Sequence, residues 1–314
     1  MKTLKVSKIA AIALALTLAL TACGWFENDD DNKNSTTFTS ASDFSKWLKE
    51  QPDNTPDNPY RAKLNIKDKV SVGDKYSLGL FSNSKKYVFL DFSDSTFTKI
   101  SGGAIAAFSD CKNLVGIILP DTVTSIEGNS FTGAFEDCTN LTSVTLPANP
   151  GFTSIAGSTF AGCTKLDGII IPDGVTSIGQ NAFARTGLTS IIIPNSVTSL
   201  SGFSRCTGLT EITIPNSVTA IGSYAFNETS LTSVTIPSSV TSIAVGAFHI
   251  TSLTSVTFEG TIPKNDFKHA DIFVGSQSFL GDLRNKFYAG GTDNGTPGTY
   301  TKSGDTWTLE QPEE

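Results

Sequence analysis

Charge is scarce in this sequence, and its scarcity limits the classes of partner. Asp, Glu, Lys and Arg make up 17% of the 314 residues, and the formal net charge is −7. No stretch concentrates lysine and arginine into a basic stripe, which argues against nucleic-acid binding because phosphate contacts need such a surface. Serine, threonine, asparagine and glycine supply most of the polarity.

Residues that commonly carry catalysis are also few. His249 and His269 are the only histidines, and the sequence contains neither a GxSxG nor an HExxH pattern. The glycine-rich run at 290–298 lacks the GK[ST] ending of a phosphate loop, so it predicts a hairpin turn. We expect no enzyme activity, no catalytic residue, no cofactor and no small-molecule substrate. A carbohydrate- or protein-processing enzyme is the weaker alternative.

Metal-ligand patterns are missing as well. The five cysteines include no CxxC pair and have no histidine near them, which argues against zinc. The acidic triplet Asp29–Asp31 lacks the alternating acids, the glycine and the distant glutamate of a calcium-binding EF-hand. We therefore expect no bound metal.

Long apolar runs are absent, with one short exception at the start. Three lysines precede the mostly apolar residues 9–20, a run too short to cross a bilayer core of roughly 30 Å comfortably. The run ends in Leu20-Thr21-Ala22-Cys23, followed by Gly24. Residues 1–22 are therefore predicted to be a signal peptide that is removed from the mature protein.

The end of that run, residues 20–23, resembles a bacterial lipobox. The resemblance implies cleavage before Cys23 and attachment of lipid to its sulfur and its new amino group. The alternative is an ordinary signal peptide with a coincidental cysteine. Two or more acyl chains, at about 0.8 kcal/mol per buried methylene, would anchor the protein stably. We expect an exported protein, held by its lipid to the bacterial envelope at the outer membrane or the cell surface.

Changes in composition divide the chain into five predicted segments. The polar residues that follow Cys23 cannot bury apolar surface, so they are expected to form a disordered tether. A solenoid needs a cover at each end, which predicts a cap on either side of the repeats. The segments are the signal peptide (1–22), the tether (23–36), the N-terminal cap region (37–98), the repeats (99–260) and the C-terminal cap (261–314).

The N-terminal cap region is predicted to contain one short helix. Ser42 is the expected N-cap of a helix over residues 43–50, with Phe44, Trp47 and Leu48 on one face. Three prolines then favour an extended connection, and strands are expected at residues 64–66 and 87–92. We interpret this helix as a cover for the end of the repeats; a ligand site at Trp47 is the alternative.

The remainder of the sequence repeats one phrase several times. One copy reads IPNSVTAIG at residues 214–222, followed by Ala225-Phe226 and by LTSVT at residues 231–235. The recurring prolines and leucines step by 21 to 27 residues, a period that indicates a solenoid of stacked units. The prolines are Pro120, Pro147, Pro172, Pro194, Pro215 and Pro237, and the leucines are Leu114, Leu141, Leu166, Leu188, Leu209, Leu231 and Leu253.

Each unit is predicted to contain one short strand. The residues before the proline alternate in character, as in Val234-Thr235-Ile236, so one face of the strand is buried. Proline ends the strand because it has no ladder donor. Stacked in register, the strands should form a parallel ladder that rises roughly 4.8 Å per unit. The repeat phenylalanines should then form a column inside: Phe108, Phe135, Phe160, Phe183, Phe203, Phe226 and Phe248.

The full phrase, IPxSVTSIGxxAFxxCxxLTSVTIP, resembles the BspA-like, Treponema-type leucine-rich repeat over about half of the chain. The flanks are also similar to those of related lipoproteins, with Trp47-Leu48 in the leader and Trp307 in the tail, where residues 292–297 look like an insertion. The resemblance implies a mainly β fold: a leucine-rich-repeat solenoid with short parallel strands, an N-terminal cap region with a short helix, and a C-terminal cap. It also implies a cell-surface protein, because some members are adhesins that bind matrix or host proteins. It carries over no catalytic residue.

Four cysteines occupy the same position, three residues after a repeat phenylalanine. A recurring position favours a structural column of buried thiols, as in other leucine-rich repeats. Export also permits disulfides, and Cys111–Cys138 or Cys138–Cys163 would have suitable spacing if the positions lie one rise apart. We favour unbridged thiols. In other units the position is expected to be vacated by a shortened turn at residues 185–186, and to be taken over by other residues at 228–229 and 250–251. The four are Cys111, Cys138, Cys163 and Cys206.

The outward residue of each strand is the candidate binding position. Threonine at this position would form a passive, well-solvated row, whereas isoleucine there would place an aliphatic group in water. Clustered exposed apolar residues mark contact sites; the alternatives are that β-branched residues simply suit strands, or that a flank covers them. The candidate residues are Ile118, Ile170, Ile192, Thr213, Thr235 and Thr257.

These observations predict non-covalent binding rather than chemistry. The first hypothesis is an extracellular or host protein as partner, with adhesion as the biological role. The second is a structural envelope protein whose repeats contact the cell's own surface polymers or proteins. In both, the membrane is contacted only through the lipid on Cys23.

Overall fold

The computed structural model describes residues 36–67, 85–100, 107–249, 251–267, 280–289, 293–304 and 306–310. The structure is a solenoid of short, mostly parallel strands, with helices α1 (Ala41–Glu50) and α2 (Leu280–Phe287) in the flanking regions. The strands are β1 (Thr36–Phe38), β2 (Tyr60–Leu64), β3 (Val88–Asp91), β4 (Lys99–Ile100), β5 (Leu114–Ile118), β6 (Ser125–Ile126), β7 (Ser143–Thr145), β8 (Ser154–Ile155), β9 (Ser177–Ile178), β10 (Ser199–Leu200), β11 (Ala220–Ile221), β12 (Ser233–Ile236), β13 (Ser242–Ile243), β14 (Ser255–Phe258), β15 (Gly298–Ser303) and β16 (Thr306–Leu309).

The repeat phenylalanines form the predicted column. Their seven side chains are at most 3% exposed. Successive ring centroids lie 5.2–5.6 Å apart with interplanar angles of 5–17°. From Phe108 to Phe226, each backbone N–H donates to the carbonyl just before the next phenylalanine, at 2.7–2.9 Å. The rings and their backbone are therefore held in the same register, and the predicted interior is confirmed.

A sharp turn follows each ring. The residue two positions after the phenylalanine has a positive φ of 55–75° in all six units where it is described. Only one of these six residues is glycine, Gly162. In the other units aspartate, arginine or glutamate adopts the left-handed conformation, which a single residue can do when surrounding bonds hold it. Those bonds are present, because each of these N–H groups donates to the next unit at 2.7–3.0 Å.

The longest ladder of the repeats lies at the Thr-Ser-Ile segments rather than at the segments before the prolines. Strands β8, β9, β10, β11 and β13 pair in parallel, each contributing two residues. Ile178, Leu200 and Ile221 point into the core. Within the repeats, the sequence predicts a strand only before each proline, so this ladder was not predicted.

The predicted ladder before the prolines is present at both ends and interrupted between them. Strands β2, β3, β5 and β7 pair in parallel at one end, and β12 pairs with β14 at the other. In the three described segments 166–172, 188–194 and 209–215, no strand pairing occurs. Ile169 and Ile171 are nonetheless buried on either side of the exposed Ile170, so the alternation persists without ladder bonds.

The N-terminal helix is confirmed, but it begins earlier than predicted. Its N-cap is Ser40, whose Oγ accepts a hydrogen bond from the Asp43 N–H at 3.1 Å. Ser42 is exposed within the first turn. Phe44 and Leu48 are buried, and Trp47 packs against Phe38 and Tyr60 at centroid distances of 5.2 and 5.6 Å. These contacts favour the capping interpretation of Trp47.

The strands of the N-terminal region extend the ladder of the repeats. The sheet order is β1-β2-β3-β5-β7, so β1 to β3 cover the side of the first repeat strand. The strand predicted at residues 64–66 was misplaced, because β2 spans Tyr60–Leu64 and ends where the prediction began, whereas β3, Val88–Asp91, lies within the strand predicted at residues 87–92. Lys86 fastens α1 to this sheet because its Nζ donates to the carbonyls of Leu48 and Lys49, at 2.9 and 2.7 Å.

At the other end, the sheet changes from parallel to antiparallel. Strand β15 pairs antiparallel with β14, and β16 pairs antiparallel with β15. The side chains of Tyr300 on β15 and Trp307 on β16 are fully buried. Residues 290–292 of the glycine-rich run lie outside the described residues. The elements on either side of the run are α2 and β15 rather than two strands, so the prediction of a hairpin turn there was wrong. Neither helix of the described residues combines the length and apolar character needed to cross a bilayer.

Candidate protein-binding face

Five of the six candidate binding residues lie on one surface, which we call the repeat face; Ile118 lies in the unit before it. The repeat face consists of the first, second and fourth residues after the repeat leucine in six successive units. All of these residues are exposed or half-buried. They are residues 142, 143 and 145; 167, 168 and 170; 189, 190 and 192; 210, 211 and 213; 232, 233 and 235; and 254, 255 and 257.

Two isoleucines break the polar surface at the middle of this face. Ile170 is 56% exposed and Ile192 is 48% exposed, although the isoleucines on either side of each are at most 6% exposed. They occupy equivalent positions in adjacent units, whose repeat phenylalanines have ring centroids 5.6 Å apart. The structure thus brings these two candidate residues together as a small aliphatic patch. Thr145 and Thr213, both exposed, flank the patch in the same column.

The remaining candidate residues differ in exposure. Thr213 and Thr235 are exposed. Thr257 is half-buried, because β15 packs beside β14 and places the Thr299 Oγ1 2.9 Å from the Thr257 Oγ1. Ile118 is also half-buried, since it pairs with Asp91 across the β3–β5 ladder. These two residues therefore lie where the flanking regions join the repeats.

A cation–π stack closes the N-terminal end of the surface. The Phe89 ring lies over Gly116, where a β-carbon would collide with it. The Arg61 guanidinium lies 4.8 Å from the centroid of the same ring. Gly116 therefore has a packing role: it makes room for Phe89. Nothing in the sequence indicates this cover.

The cysteine positions are structural. Each described thiol is buried and none forms a disulfide, as predicted. The Sγ atoms of Cys138, Cys163 and Cys206 donate to the phenylalanine carbonyl of the preceding unit, at 3.0–3.2 Å. Burial raises the pKa of the Cys163 and Cys206 thiols. Protonated and enclosed, these thiols are not suited to nucleophilic chemistry.

Threonine fills the same position in the units that lack cysteine. The Oγ1 atoms of Thr186, Thr229 and Thr251 donate to the carbonyl of their own unit's phenylalanine at 2.8–3.0 Å. The expectation that the position is vacated at residues 185–186 was therefore wrong. Both groups are small donors to a phenylalanine carbonyl, although the thiol donates to the preceding unit and the hydroxyl to its own.

His249 belongs to a polar cluster beside the last turns. Its Nδ1 lies 3.1 Å from the Asn227 Oδ1, and the Asn227 amide donates to Glu228 at 3.1 Å. Arg205 pairs with Glu228, also at 3.1 Å. Burial alone would raise the pKa of Glu228, but the hydrogen bonds from Arg205 and Asn227 hold it below its ordinary value. The cluster links neighbouring units, and His269 lies outside the described residues.

Sequence reasoning missed Phe131, which is 85% exposed. It lies at the tip of a loop closed by a bridge between Gly128 and Gly133, and Asn129 Oδ1 accepts from the N–H groups of Phe131 and Thr132. The loop can be recognised in the sequence as a local insertion into the repeat. Phe135 follows Ile126 by nine positions, whereas Phe183 follows Ile178 by five.

Cys23 lies outside the described residues, so its lipidation stays a prediction. Among the part of the chain that the structure describes, no group of three or more His, Cys, Asp or Glu side chains is placed to hold a metal ion.

The stacked turns, the aromatic column and the recurring leucines define a leucine-rich-repeat solenoid. Residues 77–202 and 201–272 match the family model described as the BspA type leucine rich repeat region, with six copies. This chain belongs to that family. No curated protein matches the sequence.

Two solved structures illustrate the similarity. One is a leucine-rich cell surface protein from Faecalibacterium prausnitzii A2-165, with 30% identity over 68% of this chain and 49% of the other, and a TM-score of 0.46. The other is a leucine-rich-repeat protein from T. pallidum, with 32% identity over 46% of this chain and 71% of the other, and a TM-score of 0.39. The chain spans about half the length of the Faecalibacterium protein.

Proposed function

We propose that this chain is a non-enzymatic lipoprotein of the bacterial cell surface whose repeat face binds a protein, with adhesion to a host or matrix protein as its role. Membership of the BspA-type family supports a scaffold for binding. The observation that carries the proposal is the exposed pair Ile170 and Ile192 at the middle of an otherwise hydroxyl-rich face. The chain is anchored through lipid on Cys23, at the outer membrane.

The arrangement has the features of a protein-binding surface. Binding energy in protein interfaces concentrates in a few central apolar anchors that are ringed by polar contacts. Burying one isoleucine side chain contributes about 1.5–3 kcal/mol. The serine and threonine side chains around the pair supply hydrogen bonds from a scaffold that is already ordered, which lowers the entropic cost of association.

The test separates the two kinds of partner. A fragment spanning residues 37–314 is used to capture proteins from matrix preparations and, in parallel, from the envelope of the cell that makes it. Capture of a matrix or host protein supports the adhesion proposal. Selective capture of the cell's own envelope components would instead support a structural envelope role.

The same assay tests the site once a partner is captured. Ile170→Thr with Ile192→Thr should weaken binding at least roughly tenfold, because two apolar anchors are lost, while the melting temperature stays unchanged. Phe131→Ser is the matched control, since it removes an exposed apolar group outside the repeat face. An unchanged affinity in the double isoleucine variant would remove this face from consideration.

A further inference from the structure

The charges on the repeat face have one sign. Thirteen of its eighteen residues are serine or threonine, and the only charged ones are Asp167 and Glu211. Both side chains are exposed. Lys165 is also exposed, but it lies in the turn before Leu166 rather than on the face. The face therefore presents two carboxylates and no cation.

Neither carboxylate forms an ion pair within the described residues. The ion pairs found there use other acids, namely Asp94, Asp110, Asp137 and Glu228. The cations at the N-terminal end of the surface are also engaged, since Lys63 pairs with Asp94 at 3.0 Å and Arg61 stacks on Phe89. The charged groups on the face itself are therefore both negative, as is the net charge of −7 of the whole chain.

The two carboxylates lie near the two ends of the isoleucine pair. Asp167 lies in the same unit as Ile170, and Glu211 lies in the unit after Ile192. Both acids sit toward the amino end of their segments, whereas the isoleucines sit two or three residues further toward the carboxyl end. A partner segment running along the stack would therefore meet the two isoleucines with one carboxylate near each end of the pair. Gly168, with open space where a side chain would be, lies between Asp167 and Ile170.

We infer that the partner of this face is a basic protein segment in which aliphatic or aromatic side chains lie beside lysine or arginine. This inference rests on the proposed function and names the class of its partner. Complementary charge raises the association rate and suppresses partners of the wrong sign, while buried apolar contacts mainly set the dissociation rate. The two isoleucines and the two carboxylates therefore have separable effects.

The probes are four synthetic peptides of one length, built from leucine and lysine, leucine and glutamate, serine and lysine, or serine and glutamate. The full-length chain is held in phosphatidylcholine nanodiscs, with empty discs as the reference, and binding is followed by surface plasmon resonance at several salt concentrations. The leucine–lysine peptide should bind roughly tenfold more tightly than the leucine–glutamate peptide at low salt, because charge steering acts on association. The difference should shrink as salt is added.

Variants assign each effect to its residues. Asp167→Asn with Glu211→Gln should abolish the preference for lysine by slowing association, whereas Asp53→Asn with Asp57→Asn, two exposed acids outside the face, should leave it intact. Ile170→Thr with Ile192→Thr should speed dissociation of both leucine peptides.

The outcomes separate the inference from the proposed function. Equal binding of the two leucine peptides, no binding of any peptide, or a lysine preference that survives the Asp167→Asn and Glu211→Gln changes would overturn the inference about charge. Binding that keeps its lysine preference but ignores the isoleucine substitutions would instead overturn the proposed role of the isoleucine pair.

Discussion

The phenylalanine column shows how one residue position can organise a whole repeat. Centroid separations of 5.2–5.6 Å between nearly parallel rings place each ring in offset contact with two neighbours. The N–H of the same residue donates a hydrogen bond to the next unit, so the ring contacts and the backbone hydrogen bonds align neighbouring units in the same register. A substitution in the column therefore acts on two interfaces rather than one.

This predicts a large cost for removing one ring from the middle of the column. Phe183→Ala should lower the free energy of unfolding by about 3–5 kcal/mol, because the cavity lies between two close-packed rings. The measurement is urea unfolding followed by circular dichroism. Phe131→Ala, at an 85% exposed side chain, should change stability by about 0.5 kcal/mol or less. Equal losses in the two variants would contradict the column as the core of the fold.

Single residues also show where sequence reasoning stops. The phenylalanine positions and the buried thiols follow from spacing alone, since each recurs in a fixed place. The substitution of threonine for cysteine at Thr186 does not, because it depends on which small donor reaches a turn carbonyl. Gly116 is similar, since its need for space comes from Phe89, a residue of the preceding strand of the sheet.

At the scale of elements, the repeats were easier to predict than their flanks. The repeat leucine occurs in seven units, so an ambiguous residue in one unit can be interpreted from the others, whereas the N-terminal helix occurs once. Its position was predicted within a few residues, but its start depends on which of two nearby serines caps it. The interruption of the ladder at residues 166–172 has no sequence signature either. Isoleucine favours strands, and the burial of Ile169, Ile170 and Ile171 alternates as it would in a paired strand.

The choice of cap gives a direct test. Ser40→Ala should lower the free energy of unfolding by about 1 kcal/mol, because the Asp43 N–H loses its acceptor at the start of α1. Ser42→Ala is the matched control. It changes an exposed residue inside the helix and should be neutral or slightly stabilising, since alanine favours helices. Thermal unfolding of both variants is the measurement. A larger loss of stability in Ser42→Ala than in Ser40→Ala would identify Ser42 as the N-cap instead.

On the scale of the whole molecule, stacking orders short segments that would not fold alone into one continuous surface. No unit has a core of its own, so the face exists only while its neighbours are stacked. The two end regions serve this arrangement by different means: parallel strands and α1 at one end, an antiparallel hairpin at the other. What the stack offers to a partner then depends on the few positions, such as Ile170 and Glu211, that depart from the common phrase.

The lipid anchor is the last prediction, and it concerns how that surface is displayed. Cells expressing the full chain and fed an alkyne-labelled fatty acid should label the wild-type protein, and Cys23→Ser should lose the label because the acylated sulfur is gone. Cys206→Ser is the matched control, since its thiol is buried in the repeats and should not be acylated.

Protease treatment of intact cells completes this test. We expect the wild-type repeats to be removed by added protease, because the lipid holds them at the outer surface, whereas the Cys23→Ser protein should no longer be retained there. Labelling that persists in Cys23→Ser would contradict lipidation at this residue. Full protection of a labelled wild-type protein would place the anchor on an inward-facing leaflet, and a host or matrix partner would then be unreachable.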